Sequence, residues 1–347
     1  MSGDGGVTDA VSQRAITGDE SGAARVPDFF IVGQPKSGTT ALYEMLRRHP
    51  EIFMPDVKEP MFLAADLRQR FHGPRIGSRY TRSREYLASL PTTLEEYLAL
   101  FEDAMSHQQL GEASVLYLFS RTAAASIGAL NPAARIIVIF REPASFLRSY
   151  HLQQCRSHQE SERDLRKAIA LEATRESYVP RGSYSPQELL YSQHVCYTEQ
   201  LRRYRAVFPA EQVLTLIYDD YRSDNEATVQ RVCDFLGVDS SVPLLSVEAN
   251  PTVAVRSQLL DDAVQRFSAG WGPFSKAVKS GIKAVVPQSA RRHLLQSVQS
   301  RIVYSPPPPP DDDLMAELRI WLRPEVERFS EYLDRDLVRL WGYDMSD

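Results

Sequence analysis

The sequence predicts an α/β fold: a central parallel sheet of about five strands with helices on both faces. Three observations carry this expectation. The apolar runs at 29–32, 135–140 and 213–218 are short, β-favouring and too continuous for a half-exposed sheet. Stretches of helical spacing alternate with them, the pattern of a parallel sheet covered on both sides. A tight glycine loop, 33–38, joins the first run to the first helix.

Taken in order, residues 1–25 are rich in Gly, Ser, Ala and acidic residues and read as a disordered tail, leaving 26–347 as the folded domain. Phe29, Phe30, Ile31 and Val32, between Pro27 and Gly33, form the first buried strand. From Thr39 onward Leu42, Met45 and Leu46 recur at helical spacing. Residues 51–63 hold two prolines and read as extended chain or loop. Residues 66–91 are polar, basic and irregular, a surface excursion over the site. Residues 93–101 give an amphipathic helix with Leu94, Tyr97, Leu98 and Phe101 on one face.

A strand at 111–119 runs into a loop, and a helix at 122–130 stops at Asn131-Pro132. The 135–140 strand ends at Arg141-Glu142-Pro143, and the next helix begins by Ser145. Residues 157–181 read as helix plus loop and 186–207 as one long helix. The 213–218 strand and a helix at 227–236, closed by Gly237, follow. Residues 259–302 have helical spacing broken by Gly270, Gly272-Pro273 and Pro287. The stretch 263–310 carries cations and no acidic residue. A polyproline spacer, 306–310, leads to a closing helical pair at 314–340.

The loop between the first strand and helix is a phosphate cradle. Its N–H groups and the positive end of the helix dipole converge where an anion is stabilised. A nucleoside-triphosphate P-loop places lysine directly after the second glycine. Here Thr39 holds that place and the lysine comes earlier, at Lys36, which argues against an ordinary kinase or nucleotidase. The sequence also shows no evident Mg²⁺ carboxylate at a strand end. A catalytically silent nucleotide-binding scaffold is the third alternative, disfavoured by Lys36 together with Glu59.

Gln34-Pro35-Lys36-Ser37-Gly38-Thr39-Thr40, followed by Ala41-Leu42 and His49-Pro50, resembles the 5′-phosphosulfate loop of sulfotransferases that use 3′-phosphoadenylyl sulfate (PAPS). The resemblance is to the branch with the heparan-sulfate enzymes and their bacterial relatives. It implies that Lys36 stabilises the leaving phosphate. It also implies that Ser37, Gly38, Thr39 and Thr40 hold the 5′-phosphate.

The segment from Arg141 to Ser149 resembles the family's 3′-phosphate site, in which a strand ends in Arg and the helix supplies Ser eight residues later. An arginine can grip phosphate with two parallel hydrogen bonds. A further family arginine is replaced by Phe146, with Arg148 as the alternative cation. Arg256 falls where the family closes a loop over the 3′-phosphate.

Lys58-Glu59-Pro60-Met61-Phe62 resembles the segment whose glutamate is the family's base. The resemblance makes Glu59 the base and puts Lys58 near the sulfuryl group or acceptor. Glu112-Ala113-Ser114-Val115-Leu116-Tyr117 resembles the family's Glu-Lys-Ser/Thr-Pro-x-Tyr segment, placing Ser114 and Tyr117 at the acceptor. The family's lysine is Ala113 here, which weakens the case for a heparin-like chain. The acceptor expected is small or medium-sized, a natural product or glycolipid, taking sulfate on a hydroxyl, with an amine as the alternative.

Composition narrows the class. A net charge of −5 and a pI near 5.9 give no sign of nucleic-acid binding. Cys155, Cys196 and Cys233 lie far apart and suggest neither a disulfide framework nor a zinc site. No metal-ligand spacing occurs among the seven histidines. No run approaches a membrane span and the first 25 residues lack a secretory signal's apolar centre, so a cytoplasmic, bacterial enzyme is expected. Peripheral membrane contact stays open through 259–305, expected as a helical insertion covering the acceptor site.

Overall fold

The structure, a computed structural model, describes residues 24–68, 90–157, 159–177, 186–244, 254–255, 304–305 and 309–344. The 1–25 tail lies almost wholly outside these residues. So do nearly all of the 66–91 excursion and the 259–302 segment.

Five parallel strands form the main sheet. They are β1 (Phe29–Gly33), β2 (Ile52–Phe53), β3 (Gln109–Ala113), β4 (Arg135–Phe140) and β5 (Val213–Ile217), in the order β2-β3-β1-β4-β5. The chain leaves β1 for one side of the sheet and later returns to the other, so β1 sits at the switch in strand order. Ligands of open α/β sheets bind at the carboxyl ends of strands beside such a switch.

The continuous apolar runs have the expected cause. In β1, Phe30 and Val32 enter the core on one face, and Phe29 and Ile31 enter the core on the other. In β4, Ile136, Val138 and Phe140 alternate in the same way with Ile137 and Ile139, and all five are fully buried. Full burial of each such side chain stabilises by about 1.5–3 kcal/mol.

One face is covered by α1 (Thr39–Leu46), which follows β1, and by α11 (Asn225–Leu236). The other carries α3 (Leu94–Ala99), α4 (Ala123–Leu130), α5 (Pro143–Arg156), α9 (Tyr197–Arg205) and α12 (Asp312–Leu333). Short helices α2 (Ala65–Arg68), α6 (Leu165–Ala170), α7 (Glu172–Ser177), α8 (Tyr191–His194), α10 (Tyr218–Ser223) and α13 (Leu337–Leu340) fill the connections. A small antiparallel pair joins Ala254–Val255 to Tyr304–Ser305.

Local signals explain several boundaries. Thr93 and Glu96 form a reciprocal capping box that starts α3. Glu142 accepts from the N–H groups of Ala144 and Ser145, and Pro143 occupies the first helical position of α5. α12 returns across the face carrying α5 and α9. Its Phe329 meets the rings of Phe140 and Tyr197 at 4.6 and 5.5 Å, and Glu325 caps Thr198 N–H at 2.8 Å.

Two expectations need correction. The extended 51–63 stretch contains the edge strand β2, held by its pairing of Ile52 with Gln109 and Phe53 with Leu110. Residues 186–207 are not one helix. A 3₁₀ turn (Pro186–Leu189), α8 and α9 divide them. The break after α8 leaves the His194 carbonyl to accept from the side-chain amides of Gln34 at 3.2 Å and Gln200 at 3.3 Å. Among the described residues no helix is long and apolar enough to cross a membrane.

Candidate active site

The 33–38 loop, expected as a phosphate cradle, emerges from the carboxyl end of β1. Gln34 is buried, its N–H donates to the Ile139 carbonyl at 2.9 Å, and its side-chain amide donates to His194. These contacts pin the loop to β4 and α8. Gly38 ends the loop at φ 82°, immediately before α1. A Cβ there would meet the Tyr221 ring at 2.6 Å, so both the backbone and the space demand glycine. Ser37 and Thr39 are buried, while Thr40 is partly open.

Lys36 is half-buried with φ 63°. Its carbonyl accepts from Arg141 Nη1 at 2.9 Å, so the strand-end arginine of β4 is bonded to the loop lysine's own backbone. The Arg141 guanidinium lies 4.9 Å over the ring of Tyr218, at the end of β5. Burial lowers the Lys36 ammonium to about 8, helped by the positive charges of Arg156 and then Arg141. Burial and Arg141 likewise lower Arg148. Ser149, on α5 beside Arg148, is buried. Cations thus gather at one spot where charge repulsion already tells on the lysine. Such a spot favours a bound anion.

The second half of the site is the 58–63 loop. Lys58 Nζ donates to Thr40 Oγ1 at 3.2 Å and to Glu59 Oε1 at 3.0 Å, and lies 5.9 Å over the Tyr43 ring. The lysine therefore bridges Thr40, in the first turn of α1, to Glu59. Both side chains keep about a fifth of their surface exposed, 20% and 18%. Sequence-distant residues 36–40, 58–59 and 141–149 are brought to neighbouring strand ends.

Ser114 and Tyr117, the residues expected at the acceptor, are engaged by the chain itself. Both are fully buried behind the 58–63 loop, where Ser114 Oγ accepts from Met61 N–H at 3.1 Å and Tyr117 OH from Leu63 N–H at 3.0 Å. Their hydroxyls face the loop backbone instead of an open cleft. Arg256 lies outside the described residues.

Other residues join the site without having been singled out for a role. Arg156 acts on Lys36 and stands seven residues after Ser149 on α5, a spacing that returns to one helix face and could have marked it. Tyr218 follows β5 directly and supports Arg141. Glu112, fully buried on β3, accepts from Tyr97 OH at 3.0 Å and Tyr117 OH at 2.8 Å. Burial raises its carboxyl to about 7. Hydrogen bonds from Ser114, Tyr117 and Tyr97 oppose that rise, and the charge of Glu59 adds to it. His194 is also buried, and burial lowers it to about 3, so it packs as a neutral ring 4.1 Å from Phe119. Among the described residues no group of His, Cys, Asp or Glu side chains could hold a metal ion.

A profile of the sulfotransferase family matches residues 27–241, more than half of the chain. The bifunctional heparan sulfate N-deacetylase/N-sulfotransferase 3 of Homo sapiens is 27% identical over 232 residues, 65% of this chain and 24% of that protein. Carbohydrate sulfotransferase 15 of Mus musculus is 27% identical over 259 residues, 61% of this chain and 44% of that protein. The chain therefore spans less than half the length of these curated relatives. A solved sulfotransferase from Alicyclobacillus acidocaldarius superposes with a TM-score of 0.62, covering 92% of this chain and 99% of its own, at 24% identity. That last likeness is one of fold.

Proposed function

The chain belongs to the sulfotransferase family, and from that premise we propose that it moves a sulfuryl group from PAPS to a hydroxyl of a small or medium-sized acceptor, a natural product or glycolipid. The observation that carries this reading is the hydrogen bond between Arg141 and the Lys36 carbonyl. It ties the strand-end arginine to the backbone of the loop that carries the lysine, and the reading assigns these two cations to the donor's 3′-phosphate and 5′-phosphosulfate.

In this reading Ser37, Gly38, Thr39 and Thr40 hold the 5′-phosphate, and Arg141 and Ser149 hold the 3′-phosphate. Lys36 stabilises the charge that develops as the S–O bond to the leaving phosphate breaks. Glu59 takes the proton of the acceptor hydroxyl as that oxygen bonds to sulfur from the opposite side. Lys58, bonded to both Glu59 and Thr40, keeps base and donor loop in register. Protein cations do the neutralising, so the reading calls for no metal. The compartment proposed is the cytoplasm.

Two measurements test it. Adenosine 3′,5′-bisphosphate should raise the melting temperature where ATP with Mg²⁺ does not. Incubation with PAPS and a panel of hydroxylated acceptors should add SO₃ to one of them by mass spectrometry. Stabilisation by ATP with Mg²⁺ alone would sink the reading in favour of a kinase or nucleotidase.

A further inference from the structure

The segment that carries Glu59 is held in a conformation it would not choose alone. Glu59 and Met61 have φ of 60° and 56°, in the left-handed region that costs non-glycine residues roughly 1–2 kcal/mol each. Something outside the segment must hold it, and three evenly spaced bonds do so. Glu59 N–H donates to the Ala113 carbonyl at 3.0 Å, Met61 N–H to Ser114 Oγ at 3.1 Å, and Leu63 N–H to Tyr117 OH at 3.0 Å. All three acceptors belong to the end of β3 or the turn after it.

A hydroxyl that accepts from a backbone N–H must send its own hydrogen elsewhere. Tyr117 sends it to Glu112 Oε2 at 2.8 Å, and Tyr97 donates to the same oxygen at 3.0 Å. Tyr97 is fixed in turn, stacked on Phe62 of the segment itself at 4.7 Å. Tyr117 OH is thus locked as an acceptor toward Leu63. The Glu112 carboxylate, fully buried one residue before Ala113, is the group that locks it.

We propose that Glu112 is a positioning residue for sulfuryl transfer: acting through Tyr117 and Ser114, it holds the 58–63 segment so that Glu59 faces the acceptor. The proposal rests on the reading of Glu59 as the base. Electrostatics adds a second contribution, because the two carboxylates act on each other across the strand end. The titratable and polar groups facing Glu112 are Glu59 from the loop, Tyr97 from α3, Tyr117 and Ser114 from the turn, and Tyr204 from α9.

The test is a double-mutant cycle between Glu112→Gln and Glu59→Gln, read with PAPS and a working acceptor. Glu112→Gln should lower kcat at least tenfold. KM for PAPS and the affinity for adenosine 3′,5′-bisphosphate should stay within about twofold, because the phosphate loop is held from β4 and α8 instead. In the Glu59→Gln background the same change should have no further effect. The wild-type kcat should also rise through about pH 7, where Glu112 ionises, and the variant should lack that rise.

Outcomes separate cleanly. If Glu59→Gln keeps full turnover, the base reading fails and this proposal fails with it. If Glu59→Gln is impaired but Glu112→Gln is not, only the positioning role is overturned. Equal losses from Glu112→Gln in both backgrounds would likewise overturn it. Should Glu112→Gln not fold, Tyr117→Phe, which removes only the bond to Leu63 N–H and its link to Glu112, carries the same cycle with the same expected results.

Discussion

Affinity for adenosine 3′,5′-bisphosphate should fall about tenfold per pH unit above pH 8, and Lys36 should be the cause. In the free protein, burial and the charges of Arg156 and Arg141 lower this ammonium to about 8. A bound 5′-phosphate supplies the opposite charge and pushes the value back up. At pH 9 roughly nine-tenths of the free lysine is neutral, so binding must bring a proton with it. That protonation costs about 1.4 kcal/mol, roughly a factor of ten. The ligand's phosphates do not interfere, since their second ionisation lies near pH 6. Tyr43, beside the loop, is raised by burial to about 12 and stays neutral throughout. Stability has the matching sign. The folded form binds fewer protons than the unfolded one between about pH 8 and 10.5, so the free protein gains stability as pH rises through that window. Isothermal titration at pH 7, 8 and 9, in buffers of different ionisation enthalpy, counts the protons. Uptake should be near zero at pH 7 and approach one at pH 9. Lys36→Met should bind weakly and without pH dependence. An affinity that is flat from pH 7 to 9.5, or the same slope in Lys36→Met, would refute the reasoning.

Arg141→Ala should weaken adenosine 3′,5′-bisphosphate by roughly 1.5–3 kcal/mol, the usual contribution of a charged hydrogen bond, and adenosine 5′-phosphosulfate by less. Equal losses by titration calorimetry would show that Arg141 supports the loop without reading the 3′-phosphate. Glu59→Gln should leave donor binding intact and cut transfer on the order of 10²–10⁴-fold, measured as sulfated product per minute. Gly38→Ala combines a forbidden φ of 82° with a 2.6 Å approach to Tyr221, so bisphosphate-induced stabilisation in a thermal-shift assay should largely vanish. Glu112, whose folded value of about 7 exceeds its unfolded one near 4.5, contributes stability that is lost as pH rises between those values. In urea melts, Glu112→Gln should therefore gain up to about 3 kcal/mol on wild type between pH 4.5 and 8.

How far the sequence could be read follows from where each element's structure is decided. β1, β4 and β5 leave continuous apolar runs because both faces of each are buried, and that pattern is local. The phosphate loop is local too, since Gly33, Lys36, Gly38 and the threonines sit within one turn of chain. β2 is not: two residues have no periodicity, and only pairing with β3 makes Ile52–Phe53 a strand. The division of 186–207 depends on Gln34, some 160 residues away, whose amide takes up the His194 carbonyl. Ser114 and Tyr117 show a subtler limit. Their place in a motif was legible, but which way a hydroxyl points is set by Glu112 and by the N–H groups of Met61 and Leu63.

The unfavourable features of this protein are not spread evenly. Among the described residues four that are not glycine have positive φ. Three of them, Lys36, Glu59 and Met61, belong to the candidate site, while the fourth, Asp334, ends α12. The half-buried lysine among arginines and the fully buried Glu112 lie at the same strand ends. Each costs on the order of 1 kcal/mol or more, and none is needed to close the sheet. What tolerates them is the pair of apolar layers around β1 and β4. An arriving anion would remove the lysine's cost, so part of the proposed donor's binding energy would be relief of repulsion already present in the free protein. The Glu112 cost is not removed by the donor, because that carboxylate lies behind the 58–63 loop. Under the proposed positioning role it is offset by what it does for Glu59. Donor binding should therefore stabilise wild type and Glu112→Gln by the same increment, while only wild type turns over at full rate.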